Sequence, residues 1–160
     1  LQIKAGLGFD IHRLKRGRKL ILGGTEIPFA QGLIGHSDGD CLIHAIIDGL
    51  LGAMGEKDIG QMFPDSDPKY KDMQSTKLLK EVVSTLRERG FKILNIDSII
   101  IAEEPKLCPH ISRMKDVLCP LLDVQKEDLG IKAKTHEGIG LIGRSEAIAA
   151  WAQVLIKKEE

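Results

Sequence analysis

The sequence predicts an α+β domain, and three observations carry that prediction. Apolar residues recur at helical spacing over 41–54, 75–89 and 109–122. Alternating or β-branched runs occupy 3–12, 91–102 and 129–135. A chain of 160 residues with 42% hydrophobic and 29% charged residues has enough apolar surface for one real core. No internal repeat, low-complexity tract or linker interrupts it, so residues 1–160 read as a single domain.

Taken in order, Ile3 to His12 alternates as a strand does, and Gly6 and Gly8 within it imply a kink or the close approach of another backbone. Asp10 and His12 are two apart, so an extended strand turns both to one side. That is half of a metal site, or else a solvated strand end. Lys19 to Leu22 and Thr25 to Ile27 flank Gly23-Gly24, a pair that supplies the positive φ of a tight hairpin turn, and Pro28 ends the unit. The stretch from Ile34 to His44 is the chemical centre of the chain: two histidines, two aspartates and a serine in a loop that runs into an apolar helix. Asp38 and Asp40 have the short oxygen-bearing side chains that open a helix. The helix itself, Cys41 to Met54, is apolar nearly all round and so belongs in a core. His44 and Asp48 share one face of it.

A second acidic stretch, with Asp58 and then Phe63 to Pro68, reads as a long functional loop or as a surface turn with capping aspartates. Ser75 to Arg89 forms an amphipathic helix with Ser75 as its cap and Gly90 as its stop. Phe91 to Ala102 suits a central strand, Pro109 to Leu122 a helix, and Leu129 to Thr135 a strand that leads into a turn with Gly138, Gly140 and Gly143. Ser145 to Lys157 is ambiguous: its alanines favour helix, while Ile148, Trp151, Val154 and Ile156 suit a buried strand.

The totals exclude several classes. Lys plus Arg and Asp plus Glu both number 23, so net charge creates no general pull toward nucleic acid or membrane. One Trp, one Tyr and four Phe are too few for base-stacking platforms. Cys41, Cys108 and Cys119 form no CxxC pair and leave an odd one out, as expected of free thiols in a reducing compartment. No apolar run has membrane-span length and no signal-peptide pattern opens the chain, which predicts a soluble intracellular protein. The first residue is Leu rather than Met, which leaves a removed leader open.

Asp10, His12 and His44 are the inventory of a three-ligand zinc site with one open position. Cys41 is a competing fourth ligand that would close it, and Asp48 is placed to orient His44 through its second ring nitrogen.

Six segments recur together in the order of a known family: Gly8 to His12, His36 to Asp40 with His44, Asp58-Ile59-Gly60, Phe63 to Pro68, Pro105-Lys106 with Pro109-His110, and Lys132 to Glu137. Along essentially its whole length the chain resembles the 2-C-methyl-D-erythritol 2,4-cyclodiphosphate synthases of the non-mevalonate isoprenoid pathway. The resemblance implies a two-layer sandwich: a mixed four-stranded sheet covered by helices on one face, assembled as a homotrimer with sheets toward the axis and active sites between subunits. It makes the last segment a strand. The implied reaction is metal-assisted intramolecular phosphoryl transfer on a cytidine-diphosphate-linked substrate, with release of CMP.

By the same resemblance Asp10, His12 and His44 hold Zn2+ or another divalent transition metal, and Glu137 holds Mg2+ or Mn2+. His36 and Thr135 stabilise the transition state. Ser37, Asp58, Ile59, Gly60, Phe63, Pro64, Asp65, Ser66 and Asp67 form the methylerythritol pocket. Ala102, Glu103, Glu104, Pro105, Lys106, Leu107, Lys134 and His136 surround the cytidine. Leu141 and Arg144 face an axial cavity that takes an isoprenoid diphosphate. The chain departs from the commoner pattern at Lys134 and His136, where small hydroxyl residues are frequent, at Leu141 in place of an aromatic, and at Ala147 in place of a glycine. The implied setting is the bacterial cytoplasm, or a plastid stroma if a transit peptide has been removed. Two other readings are a zinc phosphohydrolase on the same scaffold, which would yield linear phosphates, and a non-catalytic trimer that binds isoprenoid diphosphate through Arg144.

Overall fold

The computed structural model describes residues 2–159. Its strands are β1 (Ile3–Arg16), β2 (Leu20–Leu22), β3 (Thr25–Ile27), β4 (Gln31–Leu33), β5 (Phe91–Ile101), β6 (Leu129–Lys134) and β7 (Ala147–Lys158). Its α-helices are α1 (Cys41–Met54), α2 (Ile59–Met62), α3 (Ser75–Glu88), α4 (Ile111–Leu122) and α5 (Gly140–Gly143). The main sheet runs β4-β1-β7-β5-β6, antiparallel except for the parallel β5–β6 pair, and β2–β3 form a separate hairpin. The parallel pair follows from its connection, since a strand that returns in the same direction needs a crossover, here made by α4.

The α+β class holds, and the sheet is mixed, but it has five strands rather than four. The extra one is β4, three residues that pair with Leu14 to Arg16. It exists because β1 runs four residues past His12 and leaves its far end unpaired by β7. The last segment is strand, as the resemblance implied and its alanine content alone did not.

The alanines of β7 and the glycines of β1 have one cause. Even-numbered residues of β1 face the helices, and α1 lies so close that a Cβ on Gly6 would stand 1.9 Å from the Gly49 carbonyl oxygen and one on Gly8 1.8 Å from that of Ala45. On β7 the same face carries Ala150 and Ala152, both fully buried. Small residues let the helix seat directly on the strands. α3 packs on α1, and α4 on α3, so these three helices form one layer over one face of the sheet.

At its start α1 is capped by Asp40, whose side chain accepts the Ile43 N–H at 3.0 Å. The same carboxyl accepts the N–H groups of Gly23 and Gly24 at 3.0 and 2.7 Å. The hairpin turn, with φ of +57° and +68° at those glycines, is thereby tied to the start of the helix that carries His44. Ser75 is not a cap. Gln74 stands at that position, and Ser75 begins α3 with its hydroxyl turned inward.

Candidate active site

Strand period brings Asp10 and His12 to the helix-facing side of β1, and the close seating of α1 brings His44 to them. Asp10 Oδ2 lies 2.7 Å from His12 Nε2 and 2.9 Å from His44 Nδ1, and the two nitrogens are 3.2 Å apart. The outer nitrogen of each ring is already engaged. His12 Nδ1 donates to the Ile34 carbonyl at 2.6 Å. His44 Nε2 lies 3.1 Å from Ser37 Oγ and 2.9 Å from Ser75 Oγ. The carbonyl fixes Nδ1 as the donor of a neutral His12 ring and leaves its Nε2 lone pair facing the Asp10 carboxylate, whereas the two hydroxyls can donate to His44 or accept from it. Ligand atoms around a tetrahedral zinc-sized ion stand about 3.3 Å from one another, given bonds of about 2.0–2.1 Å. The donor set fits a divalent metal.

Burial opposes the charge on Asp10, but the hydrogen bonds and charges of His12 and His44 outweigh it and hold the carboxyl well below the usual range. Burial likewise works against a charged His12, and Asp10 overcomes it, raising that ring above its ordinary value. Cys41 lies outside the cluster, fully buried in the core, and burial pushes its thiol well up. Among the described residues no fourth side chain joins Asp10, His12 and His44.

The metal triad opens into a cavity of about 260 Å3 lined also by Gly35, His36, Ser37, Ile59, Gly60, Phe63, Asp65, Tyr70 and Leu78. His36 Nε2 is buried here with no hydrogen-bond partner among the described residues. Asp58 and Asp67 turn out to be caps: Asp58 accepts the Gln61 N–H at 2.9 Å and Asp67 that of Lys69 at 2.9 Å. Hydrogen bonds from Gln61 lower the Asp58 carboxyl below its ordinary value. Pro64 and Ser66 belong to the same loop but do not line the cavity.

Asp48 does not orient His44. Its carboxylate accepts the Ile59 N–H at 3.1 Å and so anchors the start of α2, while the second nitrogen of His44 meets the two serines. Ser75, 31 residues beyond His44, is the site residue that sequence reading assigned elsewhere, because only tertiary contact brings it near. Tyr70 and Leu78 also line the cavity without any local signal.

The residues expected around a cytidine gather apart from the metal triad. Ala102, Pro105, Lys106, Leu107, Lys134 and Thr135 line a second cavity of about 160 Å3, with Cys108 and Ala133. Glu103 does not line it and accepts the His136 N–H at 3.1 Å, and Glu104 precedes the cis Pro105. Glu137, with φ of +51°, turns its carboxylate back to the Thr135 hydroxyl at 3.5 Å on an exposed turn. Arg144 is engaged by Glu146 at 2.7 Å, and Leu141 is exposed.

Residues 3–157 match the YgbB family. The 2-C-methyl-D-erythritol 2,4-cyclodiphosphate synthase of Caldicellulosiruptor bescii is 55% identical over 96% of this chain and 98% of its own. Among solved structures, the bifunctional IspDF of Campylobacter jejuni superposes with a TM-score of 0.95 at 40% identity, covering 99% of this chain, which spans only 43% of that longer protein. The CDP complex of IspF from Plasmodium falciparum superposes at 0.87 with 32% identity, covering 99% and 97% of the two chains. The family match and the superpositions both span nearly the whole chain, and this chain belongs to the YgbB family.

Proposed function

We propose that this chain converts 4-diphosphocytidyl-2-C-methyl-D-erythritol 2-phosphate into 2-C-methyl-D-erythritol 2,4-cyclodiphosphate and CMP, a phosphorus–oxygen lyase reaction of the non-mevalonate pathway. An oxygen of the 2-phosphate bonds to the β-phosphorus, the bond from that phosphorus to the bridging oxygen breaks, and CMP departs with the bridging oxygen. The observation that carries this reading is the convergence of Asp10, His12 and His44 in a chain matched to cyclodiphosphate synthases along its length.

Asp10, His12 and His44 would hold Zn2+ or a related divalent transition ion, which when bound supplies a Lewis acid and a template for phosphate oxygens. The chain's own task is alignment. Phosphoryl transfer requires little covalent help, and an intramolecular attack gains most from holding both groups in line. His36, with a buried and unpartnered Nε2, is a ready donor to a phosphate oxygen beside the triad. Thr135 supplies the second such donor, and Glu137 is suited to a harder ion, Mg2+ or Mn2+, on the diphosphate. Ser37, the Asp58–Gly60 turn and the Phe63 to Asp67 loop enclose the methylerythritol, while the segment from Ala102 to Leu107, with Lys134 and His136, takes the cytidine. Asp58, Asp67, Pro64 and Ser66 act there by shaping the loop.

Two features support a homotrimer with sites between subunits. The expected halves of the site occupy separate cavities within one chain. The sheet face opposite the helices also exposes Leu7, Phe9, Ile11 and Trp151, at 64%, 44%, 43% and 41%, a continuous apolar belt that needs covering. Arg144 and Leu141 would then lie near the axis, as an isoprenoid diphosphate site requires. No described helix is long and apolar enough to cross a membrane, and the curated relative above is bacterial; the bacterial cytoplasm is the setting that fits.

Incubation with the cytidine-linked substrate, zinc and magnesium, followed by phosphorus NMR, tests the assignment. Cyclic diphosphate with CMP is the expected product. Linear phosphates would replace this reading with a phosphohydrolase.

A further inference from the structure

We propose that Asp38 and Ser75 form a positioning pair that keeps the proton of His44 on Nε2 and so presents its Nδ1 lone pair to Asp10 and His12. The inference deepens the metal-centre reading and rests on it.

Ser75 is fully buried at the start of α3. Its hydroxyl donates to Asp38 Oδ1 and its backbone N–H to Asp38 Oδ2 at 3.0 Å. The Asp38 carboxyl also accepts the Asp40 N–H at 3.1 Å, so all its partners are donors. With its one proton committed to Asp38, Ser75 Oγ turns only lone pairs toward His44 Nε2, 2.9 Å away. That contact is a hydrogen bond only when Nε2 carries the hydrogen.

Ser37 does not impose the same choice. Its hydroxyl oxygen lies 3.1 Å from the same Nε2 and accepts a long bond of 3.4 Å from the Gly39 N–H. Its own proton is free to donate to Nε2, which would favour the opposite tautomer. In that tautomer the hydrogen would sit on Nδ1 and point at Asp10 Oδ2, 2.9 Å away, closing the cluster to a cation. The Asp38–Ser75 pair decides between the two. It also links the start of α3 to the site, which explains why a serine is buried there at all. Partners of this kind, behind a ligand histidine, fix its tautomer and orientation.

The test uses metal-free full-length protein labelled with nitrogen-15 in histidine, examined at pH 8 by long-range proton–nitrogen correlation, together with zinc affinity from competition with a chromophoric chelator. In the wild type His44 Nε2 is expected to be protonated. In Ser75→Ala the proton is expected to leave Nε2, and zinc binding to weaken about 10–100-fold. Ser37→Ala, which removes the competing donor along with the long bond from Gly39, is expected to leave Nε2 protonated. Ser75→Ala with a protonated Nε2 and wild-type zinc affinity would overturn the proposal. If Ser75→Ala does not fold, Asp38→Ala decides, since removing both carboxyl oxygens leaves the Ser75 proton uncommitted and should shift tautomer and affinity the same way; no shift in either overturns the pair. A wild type that takes up no zinc would refute the metal-centre reading, and the tautomer would still report on the pair separately.

Discussion

Replacing Gly8 by alanine should damage the metal centre without touching a ligand. The added Cβ would stand 1.8 Å from the Ala45 carbonyl oxygen, where about 3.0 Å is the closest approach real Cβ atoms make. Something must move by roughly 1.2 Å, and the obstacle is backbone, so no rotamer change relieves it. β1 is hydrogen-bonded to β7 through the Gly8–Ala152 register, so α1 is the element expected to yield. His44 precedes Ala45 on that helix and would travel with it. Its Nδ1, now 2.9 Å from Asp10 Oδ2, would withdraw by about 1 Å, too far for one ion to hold all three ligands at normal bond lengths. Overpacking of this kind costs ~3 kcal/mol, a fall in Tm of about 6–12 °C for a chain of this size. Zinc affinity should fall about 100-fold. Thermal unfolding of the metal-free protein and chelator competition measure the two effects independently. A variant with both values unchanged would refute the packing argument. One that loses stability but keeps wild-type affinity would show that the strain is relieved without separating Asp10 and His12 from His44, and would refute the link from this packing to the ligand set.

Further outcomes follow from the same geometry. His44→Ala should abolish stoichiometric zinc by metal analysis and lower turnover about 10³-fold or more, with the fold retained by circular dichroism. Stripping the metal from the wild type should lower Tm, since an ion held at 100 times its Kd stabilises the native state by about 2.7 kcal/mol; an unchanged Tm would mean that the triad binds nothing. Trp151→Glu places a charge in the exposed apolar belt and should yield a smaller species by light scattering, with Asp10 and His44 undisturbed on the opposite face. Burial, with the charge of Asp38, pushes the Asp40 carboxyl from 3.8 up to about 6, so the folded state holds this proton more tightly than the unfolded chain. That contribution is complete below pH 3.8 and lost as pH rises through 6. Relative to Asp40→Asn, metal-free wild type should therefore lose ~3 kcal/mol of stability across this window and no more above it, as read by urea unfolding at a series of pH values.

Much of the site was legible because its signals are local. Asp10 and His12 share a strand face by the two-residue period alone, and Asp40 opens the helix on which His44 lies one turn later. The glycine pair at 23–24 announced its turn, and Gly6 and Gly8 announced a close backbone approach, though not which backbone. Asp48 misled for a physical reason. Two polar residues four apart on a helix look like partners, but each was satisfied by a group from elsewhere in the chain, Ile59 for Asp48 and Ser75 for His44. Ser75 itself reads as an ordinary cap until the fold brings it to His44. β4 carries no pattern in its three residues, and pairs only because β1 overruns its neighbour.

The amino-acid order alone determined the class of fold, the candidate ligand set of Asp10, His12 and His44, and the family likeness, because these rest on short-range periodicity and on motifs read in series. Tertiary structure decided the fifth strand, the separation of the two cavities, and which hydroxyl stands behind His44. Those depend on how closely α1 seats against β1 and β7, a distance set by the absence of side chains at Gly6 and Gly8, and packing distance has no signature in a linear string.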